Sequence, residues 1–263
     1  MKSGPLRTRD IMHSMGSWLG HPTDLTKLKR WMKGLAPMTS AFPLRRFGPS
    51  ADGGYLIPND LDGVVACLSP GVSTECGFDI EIADLGIPVF MADASVDEPP
   101  VRHPNFRFTP HFVGSYTNET QITLDGLAES APASGDLLLQ MDIEGAEYVT
   151  MGAASEGLIK RFRIMVIEFH GLDQIFTDYG FDRIRSVFDR LQRYHQVVHI
   201  HPNNCKPPTI VRGVAVPPVM EFTFHRKDRC EFTKAYAVFP RMEEVDNVPS
   251  HPRVILSPDW LNS

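Results

Sequence analysis

Residues 137–151, LLLQMDIEGAEYVTM, run an apolar segment straight into Asp142 and Glu144. Carboxylates at the end of a buried strand are costly unless water, a partner group or a metal meets them. The stretch therefore reads as a parallel strand whose C-terminal end opens into a site, with a helix starting at the next glycine. Other polar residues close other apolar runs: Asp93 in PVFMADAS, Glu168 and His170 in IMVIEFHGL, His201, Asn203 and Asn204 in QVVHIHPNNC. Acids and imidazoles at such places take protons from hydroxyl groups or ligate a divalent cation. Asp142, Glu144, His170 and His201 are the candidates for proton transfer. Asp142, Glu168 and His170 are the candidates for a metal, where Mg²⁺ needs few protein ligands and a mixed Asp/His set also accepts Mn²⁺ or Zn²⁺. Asn203 and Asn204, just beyond a strand, are expected to face a substrate, although Asn and Pro also favour turns on their own. Glu144 doubles as a favourable charge at a helix N-terminus, and Glu147 reads as simply exposed. His199 shares a face with His201 by strand alternation and reads as a packed histidine.

These residues need elements to position them. From Val64 onward, short apolar runs alternate with helical segments. The strands are VVACLSPGV, PVFMADAS, FRFTPHFVG, DLLLQMDIEG, IMVIEFHGL and QVVHIHPNNC, and PVMEFTFHRK and KAYAVFP supply a seventh strand and an antiparallel partner. TECGFDIEIADLG, AEYVTMGAASEGLIKRF and FDRIRSVFDRLQRYH read as helices between them, and QITLDGLAES as a helix or turn. This alternation predicts an α/β fold with a doubly wound parallel sheet, whose ligands bind outside the carboxyl ends of the strands. Every candidate above falls at or just past such an end. Ahead of the sheet, DLTKLKRWMKGL places Leu25, Leu28, Trp31, Met32 and Leu35 on one helical face. Residues 1–45 thus read as a helical extension on a main domain of residues 46–263. The extension is a packed helix, a dimerisation arm that would make a homo-oligomer, or a lid.

The first strand-to-helix turn, SPGVSTECGFD, lacks G-x-G-x-x-G, which counts against NAD. It still presents backbone N–H groups to an anionic group. Asp93 at the second strand end is placed to take both hydroxyls of a ribose. Together the two favour an adenosyl ligand. DGGY, residues 52–55, is a hairpin turn or a wall of the ligand pocket, with Tyr55 beside it.

The bounds are those of a soluble globular protein. The chain has 263 residues, 42% hydrophobic and 22% charged, and a formal net charge of −6. That charge argues against nucleic acid and anionic membrane. No apolar run is long enough to span a membrane, and the N-terminus lacks the apolar core of a secretory signal. Four scattered cysteines form no C-x-x-C pair, so a reducing cytoplasm is expected, and Cys67 reads as a small buried hydrophobe.

TLDGLAES followed by DLLLQMDIEGAEYVTM resembles the signature of the FkbM-type methyltransferases, an LD-x-L segment, a strand, then D-x-E-G-x-E. RRFGPSADGGYLIP and VVHIHPNNC with VPPVMEFTFHRK are similar to further segments of that group, so the resemblance covers residues 45–230. It implies a Rossmann-like class I methyltransferase sheet and S-adenosylmethionine-dependent O-methylation, often of sugar hydroxyls in glycans or natural products. Carried over, Ser69, Pro70 and Gly71 would hold the methionine end of the cofactor, and Asp93 with Ala94 the ribose. Phe112 to Ser115 would border the adenine. Asp142 and His170 would be the catalytic pair, with or without a metal, Asp142 would also border the cofactor, and Tyr55 and Glu144 would face the acceptor. Two rival readings are a nucleotide-dependent oxidoreductase and a non-catalytic scaffold on the same fold.

Overall fold

The computed structural model describes residues 20–72, 74–234 and 244–261. Its main sheet has seven strands, β1 (Val64–Pro70), β2 (Val89–Ala92), β3 (Phe106–Thr109), β4 (Asp136–Met141), β5 (Phe162–His170), β6 (His195–Pro202) and β7 (Val219–Arg226). Their spatial order is β3-β2-β1-β4-β5-β7-β6. β1 to β5 pair in parallel, and β7 lies antiparallel between β5 and β6. The chain steps outward from β1 to β3, then crosses back to β4. Between β1 and β4 the order reverses, and a crevice forms there outside the strand ends.

Among the described residues six α-helices accompany the sheet: α1 (Leu25–Gly34), α2 (Gly77–Asp84), α3 (Leu124–Ala128), α4 (Glu147–Ala153), α5 (Glu156–Arg161) and α6 (Asp178–Leu191). Strand alternation divides the core in two. Leu137, Leu139, Met141, Met165, Ile167, Phe169, Phe222 and Phe224 pack with α1 and α3 to α6. Leu138, Ile164, Val166 and Cys67 face the other way, toward α2 and the hairpin of Leu44–Phe47 with Tyr55–Pro58. In α1, Asp24 accepts the N–H of Lys27 as N-cap. Leu28, Trp31, Met32 and Leu35 are buried, and Trp31 meets Phe181 and Phe188 edge-on, each at 5.5 Å. That helix is therefore part of the main apolar cluster; residues 1–19 of the expected extension lie outside the described residues.

On the second face the period of two carries on past the apolar residues. Ser69, Gln140, Asp142, Glu168, His170, Glu221, Thr223 and His225 all follow it. Over β5, β7 and β6 this face is covered by the hairpin and by the segment from Glu244. Thr223 Oγ1 donates to Leu56 O at 2.8 Å, and Asn247 Nδ2 donates to Glu221 Oε1 at 3.0 Å. Irregular chain offers carbonyls and amides that a helix keeps for itself, so polar strand residues are satisfied there.

Three expectations change. FRFTPHFVG is not one strand: Phe106–Thr109 joins the sheet, while Phe112–Gly114 pairs with Gln121–Thr123 in a separate two-stranded ribbon. AEYVTMGAASEGLIKRF forms two helices, because Ser155 caps α5 by accepting the N–H of Leu158. The seventh strand is itself the antiparallel one; of KAYAVFP, Lys234 sits in a short strand against Met38–Thr39 and residues 235–240 lie outside the described residues. All four cysteines are free, with Cys67 and Cys76 buried. No helix among the described residues is long and apolar enough to cross a membrane.

Candidate active site

Backbone hydrogen bonds stitch the strand ends together. Gly71 N donates to Ala92 O at 3.0 Å, Asp142 N to Pro70 O at 3.2 Å, and Asp93 N to Thr109 O at 3.2 Å. Above them opens a cavity of about 620 Å³, the size of a small-molecule site. Gly71, Asp93, Ser115, Tyr55, Asp142 and Glu144 all stand on its wall, as do Phe112 and Tyr116. The DGGY segment is both things expected of it: residues 48–54 link the hairpin strands, and Asp52 and Gly53 line the cavity.

Other candidates lie off the wall. Ser69 is buried beneath it, with Oγ donating to Gln140 Oε1 at 2.8 Å, and Gln140 Nε2 in turn reaches Tyr55 Oη at 3.3 Å. Pro70 contributes its carbonyl to Asp142 N, and Ala94 does not line the cavity. Asn203 and Asn204 do not line it either, against expectation. Asn203 Nδ2 donates to Glu168 Oε1 at 3.1 Å, and its own oxygen accepts Cys205 N. Asn204 is spent on the chain that follows: its amide donates to Val248 O and His251 O and accepts Val248 N. His201 is also absent from the wall, with Nε2 3.0 Å from Asn247 Oδ1. Burial pulls its pKa down, but Glu221 and Glu244 outweigh that and leave it raised.

Behind Asp142, four carboxyl groups surround His170. Glu147 Oε1 is 3.1 Å from Nδ1, while Glu144, Glu168 and Asp142 approach Nε2 at 3.5, 3.5 and 3.8 Å. Glu147 is not exposed, as the sequence suggested, but wholly buried. It begins α4 and closes a turn, accepting the N–H groups of Ile143 and Gly145. That turn takes Glu144 to φ 54° and Gly145 to φ 106°, so the helix starts two residues later than the glycine suggests. Set against a carboxylate oxygen, Nδ1 of His170 carries its hydrogen, and Nε2 faces the three remaining acids. Burial would lower the His170 pKa, but Glu147, Asp142 and Glu144 raise it overall. Asp142 moves to about 7, chiefly because it is buried, with Glu144, Glu147 and Asp52 adding to the rise and His170 opposing it. Glu168 is pushed well up by burial and by Asp142 and Glu221.

Sequence reasoning missed Asp79. It sits on α2 among Phe78, Ile82 and Ala83, 3% exposed, and lines the cavity. A carboxylate within the buried stripe of an amphipathic helix was the signal. Burial raises its pKa from 3.8 to about 7, offset in part by the Ser69 hydroxyl. Between those values the folded chain holds the proton and the unfolded chain does not, so stability falls as pH rises through this window. Ionising Asp79 therefore withdraws on the order of 4 kcal/mol. Asp79→Asn is expected to raise Tm at pH 8, leave it nearly unchanged at pH 4, and flatten the decline between, as thermal melts across that range would show.

Residues 90–195, from β2 to the first residue of β6, match the family model described as "Methyltransferase FkbM domain". No curated protein matches the sequence.

Proposed function

We propose that the chain, whose residues 90–195 match the FkbM methyltransferase domain model, transfers a methyl group from S-adenosylmethionine to a hydroxyl, on a sugar of a glycan or glycosylated natural product. The observation that carries this reading is one shared wall. The Gly71 turn, Asp93 and the half-buried Asp142 border the same cavity, and Asp142 Oδ1 accepts no hydrogen bond among the described residues. When bound, S-adenosylmethionine supplies a methyl group on a sulfonium, open to in-line attack by an oxygen. The chain's own part is to hold both partners and remove a proton. Gly71 keeps its turn within reach of the β4 end, so the cofactor's amino-acid end meets backbone N–H groups. Asp93 takes the ribose from the end of β2, and Asp79 is placed to meet the cofactor's ammonium group. Phe112 and Tyr116, both largely exposed on the wall, offer flat faces to a purine or a sugar ring. Asp142 accepts the hydroxyl proton, and His170 stands directly behind it as the positioning residue.

A cation suits this same group. One ligand atom each from Asp142, Glu168 and His170 lies within 4.8 Å of the others, and Glu168 Oε2 and Asp142 Oδ1 lack hydrogen-bond partners among the described residues. Such an ion would acidify a hydroxyl at the site. Incubation with methyl-labelled S-adenosylmethionine and a panel of sugars, polyols and glycans tests the reading. Label resistant to alkali, as an ether is, supports O-methylation of a hydroxyl. Alkali-labile label, or transfer to amines alone, refutes it, and a chelator arm decides the metal.

A further inference from the structure

The second face of the sheet carries another group of ligand-type residues at its far edge. His199 and His201 alternate along β6 and so point to the same side, where the segment from Glu244 covers them. All three side chains are buried, His199 and Glu244 to 2% exposure and His201 to 8%. His199 Nε2 lies 3.8 Å from Glu244 Oε1, and His201 Nδ1 lies 3.6 Å from Glu244 Oε2.

The hydrogen positions decide what these distances mean. Asn247 Nδ2 donates to Asp52 Oδ1 at 2.9 Å and to Glu221 Oε1 at 3.0 Å. Two carboxylates on the nitrogen fix the amide's orientation, so its oxygen is what faces His201 Nε2 at 3.0 Å. That ring nitrogen must then carry hydrogen, and Nδ1 faces Glu244 either as a lone pair or, in the imidazolium that Glu221 and Glu244 favour, as an N–H. A lone pair facing a carboxylate oxygen is repulsive unless something positive lies between them. At 3.6 and 3.8 Å the contacts are too long for charge-assisted hydrogen bonds of about 2.7–2.9 Å. They approach the separation of roughly 3.4 Å between two ligands of one tetrahedral ion with bonds of about 2.0–2.2 Å. One ligand atom from each residue lies within 4.8 Å of the others, and Glu244 Oε1 accepts no hydrogen bond among the described residues. The Asn247 contact is the kind of outer-shell bond that fixes a ligating imidazole.

We propose that His199, His201 and Glu244 bind a borderline divalent cation of the Zn²⁺ type, separate from the group around Asp142, which clamps the segment from Glu244 onto the edge strand. Two imidazoles with one carboxylate favour Zn²⁺ over Mg²⁺ or Ca²⁺. The clamp reaches the cavity through Asn247, whose amide holds Asp52 of the wall.

The test uses the full chain carrying His170→Ala, which takes the only imidazole out of the other ion candidate, so that histidine signals report on His199 and His201 and not on that group. After chelator treatment and dialysis it is titrated with Zn²⁺, and histidine ¹⁵N resonances are followed. The expected result is about one equivalent bound, with two imidazoles shifting together. Adding Glu244→Gln, close in shape, should weaken uptake by more than the roughly 10–100-fold that an outer-shell contact contributes. Either of two outcomes overturns the proposal. One is no Zn²⁺ uptake by the His170→Ala chain, which would leave His201 as an imidazolium paired with Glu244. The other is uptake that moves no pair of imidazoles. Neither outcome bears on methyl transfer, which the labelled-cofactor assay reads separately.

Discussion

Asp142→Asn is expected to lower turnover by about 10²–10⁴-fold, the range that loss of a general base commonly produces, while the fold and cofactor affinity persist. The amide keeps the shape of the carboxyl, and the backbone N–H of residue 142 still bonds Pro70 O. Stability should hold or improve, because burial has already moved this carboxyl to about 7 and so disfavours its charge. The same shift sets the pH dependence. A base must be unprotonated, so kcat/KM should climb through an apparent pKa near 7 and level off above it. Asp142 and His170 stand 3.8 Å apart and titrate as a pair, so the profile belongs to both. Steady-state rates from pH 5.5 to 9 for the wild type, Asp142→Asn and His170→Gln would check this. An Asp142→Asn enzyme within tenfold of wild type would remove Asp142 from the chemistry.

Gly71→Ala should be the most damaging glycine-to-alanine change among the described residues. A Cβ at residue 71 would lie 1.6 Å from Asp142 O, at a backbone φ of +90°. Two costs combine: the left-handed conformation, on the order of 1–2 kcal/mol for a residue with a side chain, and a clash that only separation of the two turns can relieve. Gly213 isolates the first cost, with φ +82° and nothing within 4 Å of an added Cβ. Denaturant melts should show Gly213→Ala mildly destabilised and Gly71→Ala destabilised by several times more, with ligand binding lost only in the latter. Equal effects would mean that the β1 and β4 turns are not in close contact.

Much of this architecture was legible because the strands announce themselves. Apolar runs ending in Asp93, Asp142 and His170 marked the carboxyl edge of β2, β4 and β5, and alternation put Glu168 and His170 on one face. What the sequence hid were long-range choices. Nothing local shows that β7 inserts antiparallel between β5 and β6, or that residues 110–120 leave the sheet. Glu147 looked like a surface acid because an acid in a first helical turn usually is one; its burial depends on His170, 23 residues away. Asn203 and Asn204 looked free to bind substrate, yet Glu168 and the segment after Glu244 claim their amides. Asp79 went unread because its neighbours made an ordinary apolar helix face, and only the cavity on that side gives its carboxyl a purpose. Where partners lie close along the chain or repeat with strand period, residue types sufficed. Where a distant segment decides burial, they did not.

The central claim is that the cavity between β1, β2 and β4 is the site of the methyl donor. Calorimetric titration of S-adenosylhomocysteine into the full chain, beside Asp93→Ala, tests it most directly. The account predicts saturable binding of one ligand per chain, with affinity at least about tenfold weaker in Asp93→Ala, the loss of roughly 1.4 kcal/mol that a bond to a charged group supplies. No binding of S-adenosylhomocysteine, with NADH binding in its place, would contradict it.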